Sequence, residues 1–377
     1  MKTNRLYIPI LALALAAGFT SCDDFLDREP MSTVDPEVYF TQVSQLESYA
    51  NQLYENILPS HGNWSYGIFG EDSGTDNQTG ATANNRFAEG LWKVPNKDDN
   101  NWKFEWIYRC NFFLQNVLEK YGTKEDGSEN TIMGDLASIK HYIGEIYFLR
   151  AYEYFKRYQK YGDFPIITEP LADDMEILRE SNKRMPRTEV ARFILDDLKK
   201  AYDFLSAKEM ATTRINKDAA LLLRSRVALF EGTWLKSFEG TAFVPNGEGW
   251  PGASKDYNKD YQFKSGSIDK EINYFLEQAI ADAETISEAY KNDLAENKGL
   301  QQSVNDPANP YYDMFAQEDL SGVREVLLWR QYGRGLVTHN VNVAANRGNY
   351  MNGVTRAFVN NFLMANGEPV YKHGSYA

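Results

Sequence analysis

The chain has 377 residues, with 40 Lys and Arg against 53 Asp and Glu, and its formal net charge is −13. Because a phosphate backbone needs a basic binding face, this charge disfavours nucleic acid as a partner. An apolar share of 43% and a charged share of 25% predict a globular chain and exclude disorder as its main state. The only two cysteines, Cys22 and Cys110, exclude a disulfide framework and a cysteine-based zinc site.

The first 21 residues have the pattern of a lipoprotein signal peptide. Lys2 and Arg5 precede an apolar run, Leu6 to Gly18, which is shorter than the roughly 20 residues that a membrane-spanning helix needs. The small residues before Cys22 are similar to a bacterial lipobox, so we expect Cys22 to be the lipid attachment site. A conventional signal followed by an incidental cysteine is the alternative.

Apolar residues recur three and four positions apart in six stretches, which predicts six helices. The third helix should end at Tyr161-Gly162-Asp163-Phe164-Pro165, where a left-handed glycine and a proline terminate it. Thr188 is the predicted N-cap of the fourth helix. The predicted helices are Val43–Ile57, Trp102 to about Tyr121, Leu136 to about Tyr161, the stretch after Pro186 to about Ser206, Lys217–Phe230 and Ile272–Tyr290.

These helices predict an all-α fold. Helix pairs with Gly or Ala at contact positions, spaced by roughly 30 to 40 residues, are similar to tetratricopeptide repeats, although no single copy meets the consensus. Three long segments rich in aromatic residues interrupt the scaffold, namely 61–101, 238–267 and 301–349. Long segments inside a domain are usually functional, so we expect the ligand site in these loops.

Several blocks of residues follow one another along the chain. They are Cys22-Asp-Asp-Phe-Leu-Asp-Arg-Glu-Pro, Gly144-Glu-Ile-Tyr-Phe-Leu-Arg-Ala-Tyr-Glu-Tyr-Phe with Tyr161-Gly-Asp-Phe-Pro, Pro186-Arg-Thr-Glu-Val, Lys217-Asp-Ala-Ala-Leu-Leu-Leu-Arg and Met364-Ala-Asn-Gly-Glu-Pro-Val-Tyr. In this order they resemble the SusD/RagB family of nutrient-binding outer-membrane lipoproteins. The resemblance covers the chain from Cys22 to Tyr371.

The resemblance implies a tetratricopeptide-like scaffold, a lipid anchor in the outer membrane and exposure to the extracellular side. It implies a family domain over 22–377, with an N-terminal part over about 22–210 and an incomplete C-terminal part over about 211–377, because family members usually continue further. The implied function is to bind a glycan and deliver it to a partner SusC-like TonB-dependent transporter. Binding of a peptide for uptake, as in RagB-like members, is the alternative.

Carbohydrate recognition needs flat aromatic faces with amide, carboxylate or guanidinium groups around them. The loop before the second predicted helix has this mixture, and the resemblance implies ligand contacts from the same stretch. Trp92 and Trp102 are therefore the leading stacking platforms, although a core role for Trp92 is equally favoured. The predicted ligand-binding residues are Trp92, Trp102, Asp72, Arg86, Asn101, Trp250 and Tyr332.

The sequence contains no catalytic motif, and adjacent acidic residues do not face each other on a helix. We therefore expect a binding protein without catalytic residues, cofactor or resident metal; a hydrolase assembled from distant carboxylates and a pure protein scaffold are the alternatives. The acid-rich loops leave a bound calcium ion open, but no ligand spacing argues for one. Arg150, Arg224, Arg226 and Glu145 are expected to pair between helices rather than to touch the ligand.

Overall fold

A computed structural model describes residues 39–60, 72, 74–80, 102–207, 212–299, 303, 305–333 and 353–373. These residues are mainly helical, which confirms the all-α prediction. None of the described helices is both long and apolar enough to cross a bilayer. The helices are α1 (Val43–Ile57), α2 (Glu105–Tyr121), α3 (Leu136–Tyr161), α4 (Met175–Ser181), α5 (Arg187–Phe204), α6 (Lys217–Phe238), α7 (Ile268–Tyr290), α8 (Pro310–Ala316) and α9 (Arg356–Asn360), with 3₁₀ turns at Pro251–Ser254 and Val370–His373.

Two short strands form the sheet of the described residues, β1 (Gln78–Thr79) and β2 (Gly353–Val354). They run antiparallel, with Gln78 opposite Val354 and Thr79 opposite Gly353. The pairing joins two segments that are far apart in the sequence. Its two-residue strands carry no periodic signal that the sequence could show.

The six predicted helices are confirmed, with shifts at their ends. α1 has the predicted bounds, whereas α2 begins at Glu105 because Trp102, the predicted start, packs against the core. α6 continues past its predicted end to Phe238. α7 begins earlier than predicted, at Ile268, because the side chain of Ser267 accepts a hydrogen bond from the first turn.

The predicted N-cap of α5 is wrong. Thr188 lies within the first turn of α5 and is fully buried, while Pro186 is the N-cap. The carboxylate of Asp163, two residues after the end of α3, accepts the backbone N–H of Arg187 at 2.8 Å. A side chain that is distant in sequence therefore supplies the cap.

The ends of α3 match the prediction. The side chain of Asp135 accepts the backbone N–H of Ser138 at 2.8 Å and caps the first turn. Gly162 follows the last residue with φ of 67°, a left-handed conformation that favours glycine.

The long helices pack against one another. α3 contacts α1, α2 and α5, and α6 contacts α5 and α7. A Cβ atom at Gly144 would lie 2.8 Å from the side chain of Leu205, and one at Gly232 would lie 2.7 Å from that of Leu276. The two glycines therefore permit the close approach that the repeat pattern predicts.

Buried ion pairs join the helices. Arg150 on α3 donates two hydrogen bonds to Asp197 on α5, both at 2.7 Å, and a third to Asn111 at 2.8 Å. Arg224 on α6 donates to Asp282 on α7 at 2.7 and 2.6 Å. The structural roles predicted for these two arginines are confirmed.

Candidate functional site

A groove of about 1350 Å³ lies between the C-terminal end of α1, the middle of α3, one face of α6 and residues 325–332. We call this cavity the α6 groove and residues 325–332 the wall segment. Apolar side chains form most of its surface, and polar groups lie among them. A concave surface of this kind is the usual form of a small-ligand site. Its lining includes Tyr54, Phe148, Tyr152, Arg226, Trp329 and Tyr332.

The wall segment is fixed to the start of α6. The backbone N–H of Trp329 donates to the carbonyl oxygen of Thr212 at 3.1 Å, and its indole N–H donates to the Thr212 hydroxyl at 2.8 Å. Asn216, the N-cap of α6, donates to the carbonyl oxygen of Leu327 at 2.6 Å. These bonds hold the aromatic wall in place without a ligand. Binding a ligand therefore costs less conformational entropy.

A buried carboxylate fixes the opposite wall, at the end of α1. Glu145 is fully buried and accepts hydrogen bonds from Arg214 at 2.6 and 2.9 Å and from the Tyr54 hydroxyl at 2.6 Å. The backbone N–H of Ser206 donates to Nδ1 of His141, so Nε2 carries the proton and donates to Glu145 at 3.0 Å. Burial, and next the charge of Glu145, raise the pKa of Tyr54 well above its usual range. The network holds the Tyr54 ring in the groove wall and confirms the structural role predicted for Glu145.

Arg226 has no partner on any of the helices that the structure describes, so the structural role predicted for this residue finds no support there. Its side chain is exposed and lines the α6 groove. It makes no hydrogen bond or ion pair with any of the residues that the structure describes. Leu222 and Leu229 flank it along α6 and are 47% and 51% exposed. The groove thus contains a guanidinium group between two apolar side chains.

A second, smaller pocket of about 320 Å³ contains Trp102. The indole meets the rings of Phe164 and Tyr161 edge-on, with centroids 4.8 and 5.1 Å apart. The guanidinium of Arg184 lies over the indole, 4.5 Å from its centroid. Trp102 is therefore half-buried with one face occupied, and the pocket beside it is mainly apolar.

The other candidate residues that the structure describes lie in different parts of it. Trp250 is only 5% exposed, and its indole N–H donates to Asp163 at 2.8 Å. This burial leaves little of the Trp250 ring for a ligand to stack on, and its predicted role in ligand binding stays a prediction. Asp72 is exposed and accepts hydrogen bonds within its own turn. Tyr332 lines the α6 groove, whereas Trp102 lines the smaller pocket.

Four predicted residues lie outside the described ranges: Cys22, Arg86, Trp92 and Asn101. Their roles in lipid attachment and ligand binding stay predictions. Within the ranges that the structure describes, no group of three or more His, Cys, Asp or Glu side chains is placed to hold a metal ion.

The sequence does not predict the other rings of the α6 groove as site residues. Phe148 and Tyr152 lie on the longest helix and have the spacing of core residues. Trp329 ends the apolar run Val326–Leu327–Leu328, which is typical of a buried segment. The signal available in the sequence was the nearby Tyr332, since the wall segment brings both rings to the same groove.

Comparisons with known proteins give the family. A SusD-like family, described as starch-binding and associating with the outer membrane, matches residues 24–229, which is more than half of the chain. SusD-like protein P25 of Formosa agariphila is 26% identical over 57% of this chain and 41% of that protein. SusD-like protein P2 of the same organism is 25% identical over 66% of this chain and 47% of that protein. The chain therefore spans less than half the length of these curated relatives.

A solved structure of a SusD-like carbohydrate-binding protein from Bacteroides fragilis has a similar fold, with a TM-score of 0.56. The two sequences are 14% identical over 88% of this chain and 55% of that one. The similarity of structure is thus one of fold. Because the family model matches more than half of its residues, the chain belongs to the SusD-like family.

Proposed function

We propose that this chain binds a glycan in the α6 groove and passes it to a SusC-like TonB-dependent transporter. The observation that carries the glycan part is the groove itself, which places the rings of Tyr152, Trp329 and Tyr332 beside polar side chains. Sugars present C–H faces that pack on aromatic rings, and hydroxyl groups that hydrogen-bond to amide and guanidinium groups. The family's description as starch-binding supports the same ligand class.

The pocket at Trp102 fits a glycan less well. Its lining is mainly apolar, with Tyr108 and Leu178 among the exposed side chains, and it offers few groups for sugar hydroxyls. Its volume of about 320 Å³ is also much smaller than that of the α6 groove. We therefore place the main contact in the α6 groove.

The proposed location is the extracellular side of the outer membrane, with lipid chains on Cys22 as the anchor. The lipobox-like residues before Cys22 support the anchor, and the family's association with the outer membrane supports the location. Capture without catalysis is the proposed activity. Replacing Cys22 with Ser should release the protein from the membrane fraction of the producing cell, and retention of this variant would contradict the proposed anchor.

The first experiment is a binding screen of the full chain by calorimetry. A panel of polysaccharides is tested beside a peptide mixture, and the release of reducing ends is measured in the same samples. We expect one polysaccharide class to bind without release of reducing ends. Binding of peptides alone would move the function to peptide uptake, and turnover of the glycan would make the protein an enzyme.

The groove itself is tested with Tyr332→Ala. Loss of the ring should weaken glycan binding by about 1–3 kcal/mol, a value measured for aromatic stacking in nucleic-acid sites. Tyr312→Ala is a matched control, because Tyr312 is 56% exposed and lies outside the groove lining. If the two variants and the unmodified chain bind the glycan with equal affinity, the α6 groove is not the glycan-binding site.

The transporter part needs a separate experiment. Crosslinking of intact cells that produce the full chain should give a complex with a TonB-dependent barrel, which mass spectrometry identifies. Deleting that barrel should abolish uptake of the bound glycan while leaving its binding to the cell surface unchanged. Uptake that continues without the barrel would contradict the delivery role.

A further inference from the structure

We infer that the α6 groove selects a glycan that carries an acidic group, a carboxylate or a sulfate ester, and that Arg226 binds this group. The inference rests on the proposed function, because it names the ligand class of the same groove. It is carried by the guanidinium of Arg226, which has no partner among the residues that the structure describes, and by the apolar side chains on either side of it.

The state of Arg226 differs from that of other arginines on the long helices. Arg150, Arg187 and Arg224 each form an ion pair with a carboxylate of a neighbouring helix. Arg226 is two residues from Arg224, yet it is exposed and lines the groove. A guanidinium group presents a planar set of donors that matches a carboxylate or a sulfate with two hydrogen bonds. Its donors are free for a ligand within the described part of the chain.

The neighbours of Arg226 favour a sugar over a simple anion. Leu222 and Leu229 lie four residues before and three residues after it, so all three side chains share one face of α6. An acidic sugar carries its charged group beside an apolar C–H surface. The leucines can cover that surface while the guanidinium binds the acid.

The other charged side chains of the groove favour binding of the ligand's acidic group beside α6. Arg330 donates from one nitrogen to backbone carbonyl groups at the end of α1, and one carboxylate oxygen of Glu325 accepts a backbone N–H at 2.5 Å, so backbone hydrogen bonds hold both side chains. Glu55 is an exposed carboxylate on the α1 wall and repels an anion there. The acidic group of the ligand is therefore directed to Arg226, across the groove from Glu55.

The test compares oligogalacturonate with the same oligosaccharide after methyl esterification, which removes the charge and keeps the sugar chain. A sulfated galactan oligosaccharide and its desulfated form make the second pair. The full chain should bind the acidic member of one pair roughly ten- to a hundredfold more tightly than its neutral form, the range of a charge-assisted hydrogen bond. The pair that shows the difference identifies carboxylate or sulfate as the acidic group.

Two variants assign the preference to one side chain. Arg226→Gln should bind both members of the pair with equal affinity, whereas Arg226→Lys should retain part of the preference because it keeps the charge. Lys236→Gln is the matched control, since Lys236 is exposed on the same helix and lies outside the groove lining. It should leave the preference unchanged although it alters the net charge equally.

The outcomes separate this inference from the proposed function. Equal binding of acidic and neutral forms by the unmodified chain, or an acid preference that survives Arg226→Gln, would overturn the inference and leave glycan binding intact. Binding of neutral glycans alone would have the same meaning. A chain that binds no glycan in the panel, acidic or neutral, would overturn both.

Discussion

Replacing Asp197 with Leu should destabilise the chain by about 3–5 kcal/mol, because it leaves the charge of Arg150 buried without a partner. Asp197 is fully buried and Arg150 is 4% exposed. The substitution removes two hydrogen bonds of 2.7 Å and leaves only the bond to Asn111 at 2.8 Å. In the unmodified chain burial lowers the pKa of Arg150, and the charge of Asp197 outweighs it. Once Asp197 is replaced, only the lowering effect of burial remains, but the intrinsic pKa of a guanidinium is so high that the group keeps its proton and its buried charge.

Urea unfolding followed by circular dichroism measures this loss. The double variant Arg150→Met, Asp197→Leu should recover most of it, because an apolar pair of similar volume leaves no unpaired charge. The control is Asp203→Leu, which breaks an exposed pair with Lys199 and should cost about 0–1 kcal/mol. The reasoning fails if Asp197→Leu costs no more than this control, or if the double variant is less stable than the single one.

Three further substitutions test other contacts. Gly144→Ala should cost about 1–3 kcal/mol through overpacking, since the added Cβ would lie 2.9 Å from the backbone nitrogen of Leu205. A helix-propensity gain of roughly 1 kcal/mol offsets part of this cost. Burial raises the pKa of Glu271, but hydrogen bonds from Arg192 outweigh it and lower the pKa below the ordinary 4.5. Glu271→Gln should therefore be less stable near neutral pH, with a deficit that closes as the pH falls through the lowered pKa. Trp250→Phe should cost about 1.5–3 kcal/mol through its lost hydrogen bond and leave glycan affinity unchanged.

Urea unfolding measures the change in stability of each variant, and the Trp250 variant is also tested for glycan binding. Gly322→Ala is the control for Gly144, because no non-neighbouring atom of the described residues lies within 4 Å of the added Cβ, and equal stability of the two variants would contradict the packing argument. For Glu271, a stability difference that stays constant from neutral to acidic pH would contradict the assigned pKa direction. For Trp250, weaker glycan binding with unchanged stability would return the ring to the ligand site.

The helical scaffold was predictable because its signals are local. Apolar spacing predicted six helices, and Gly162, which has a positive φ of 67°, marked the end of α3. The errors occur where distant residues decide. The cap of α5 comes from Asp163 rather than from Thr188, and α6 runs past Phe230 because it packs against α7.

The candidate site was less predictable, because exposure is not a local property. Trp250 and Tyr332 both lie in aromatic loops, and nothing in their neighbourhoods distinguishes them. The structure buries Trp250 against Asp163 and places Tyr332 in the α6 groove. Trp102 occupies an intermediate position, half-buried under Arg184.

Taken alone, the sequence determined the fold class, the family resemblance and the chemistry available to the ligand, since these depend on composition, periodicity and ordered motifs. Only the tertiary structure decided which side chains have partners and which are free. Arg224 and Arg226 lie two residues apart on one helix, so they project from different sides of it and meet different neighbours. Arg224 meets Asp282 and joins two helices, whereas Arg226 meets no described carboxylate and faces the groove. The position of the neighbouring helices, which the local sequence does not encode, makes this difference.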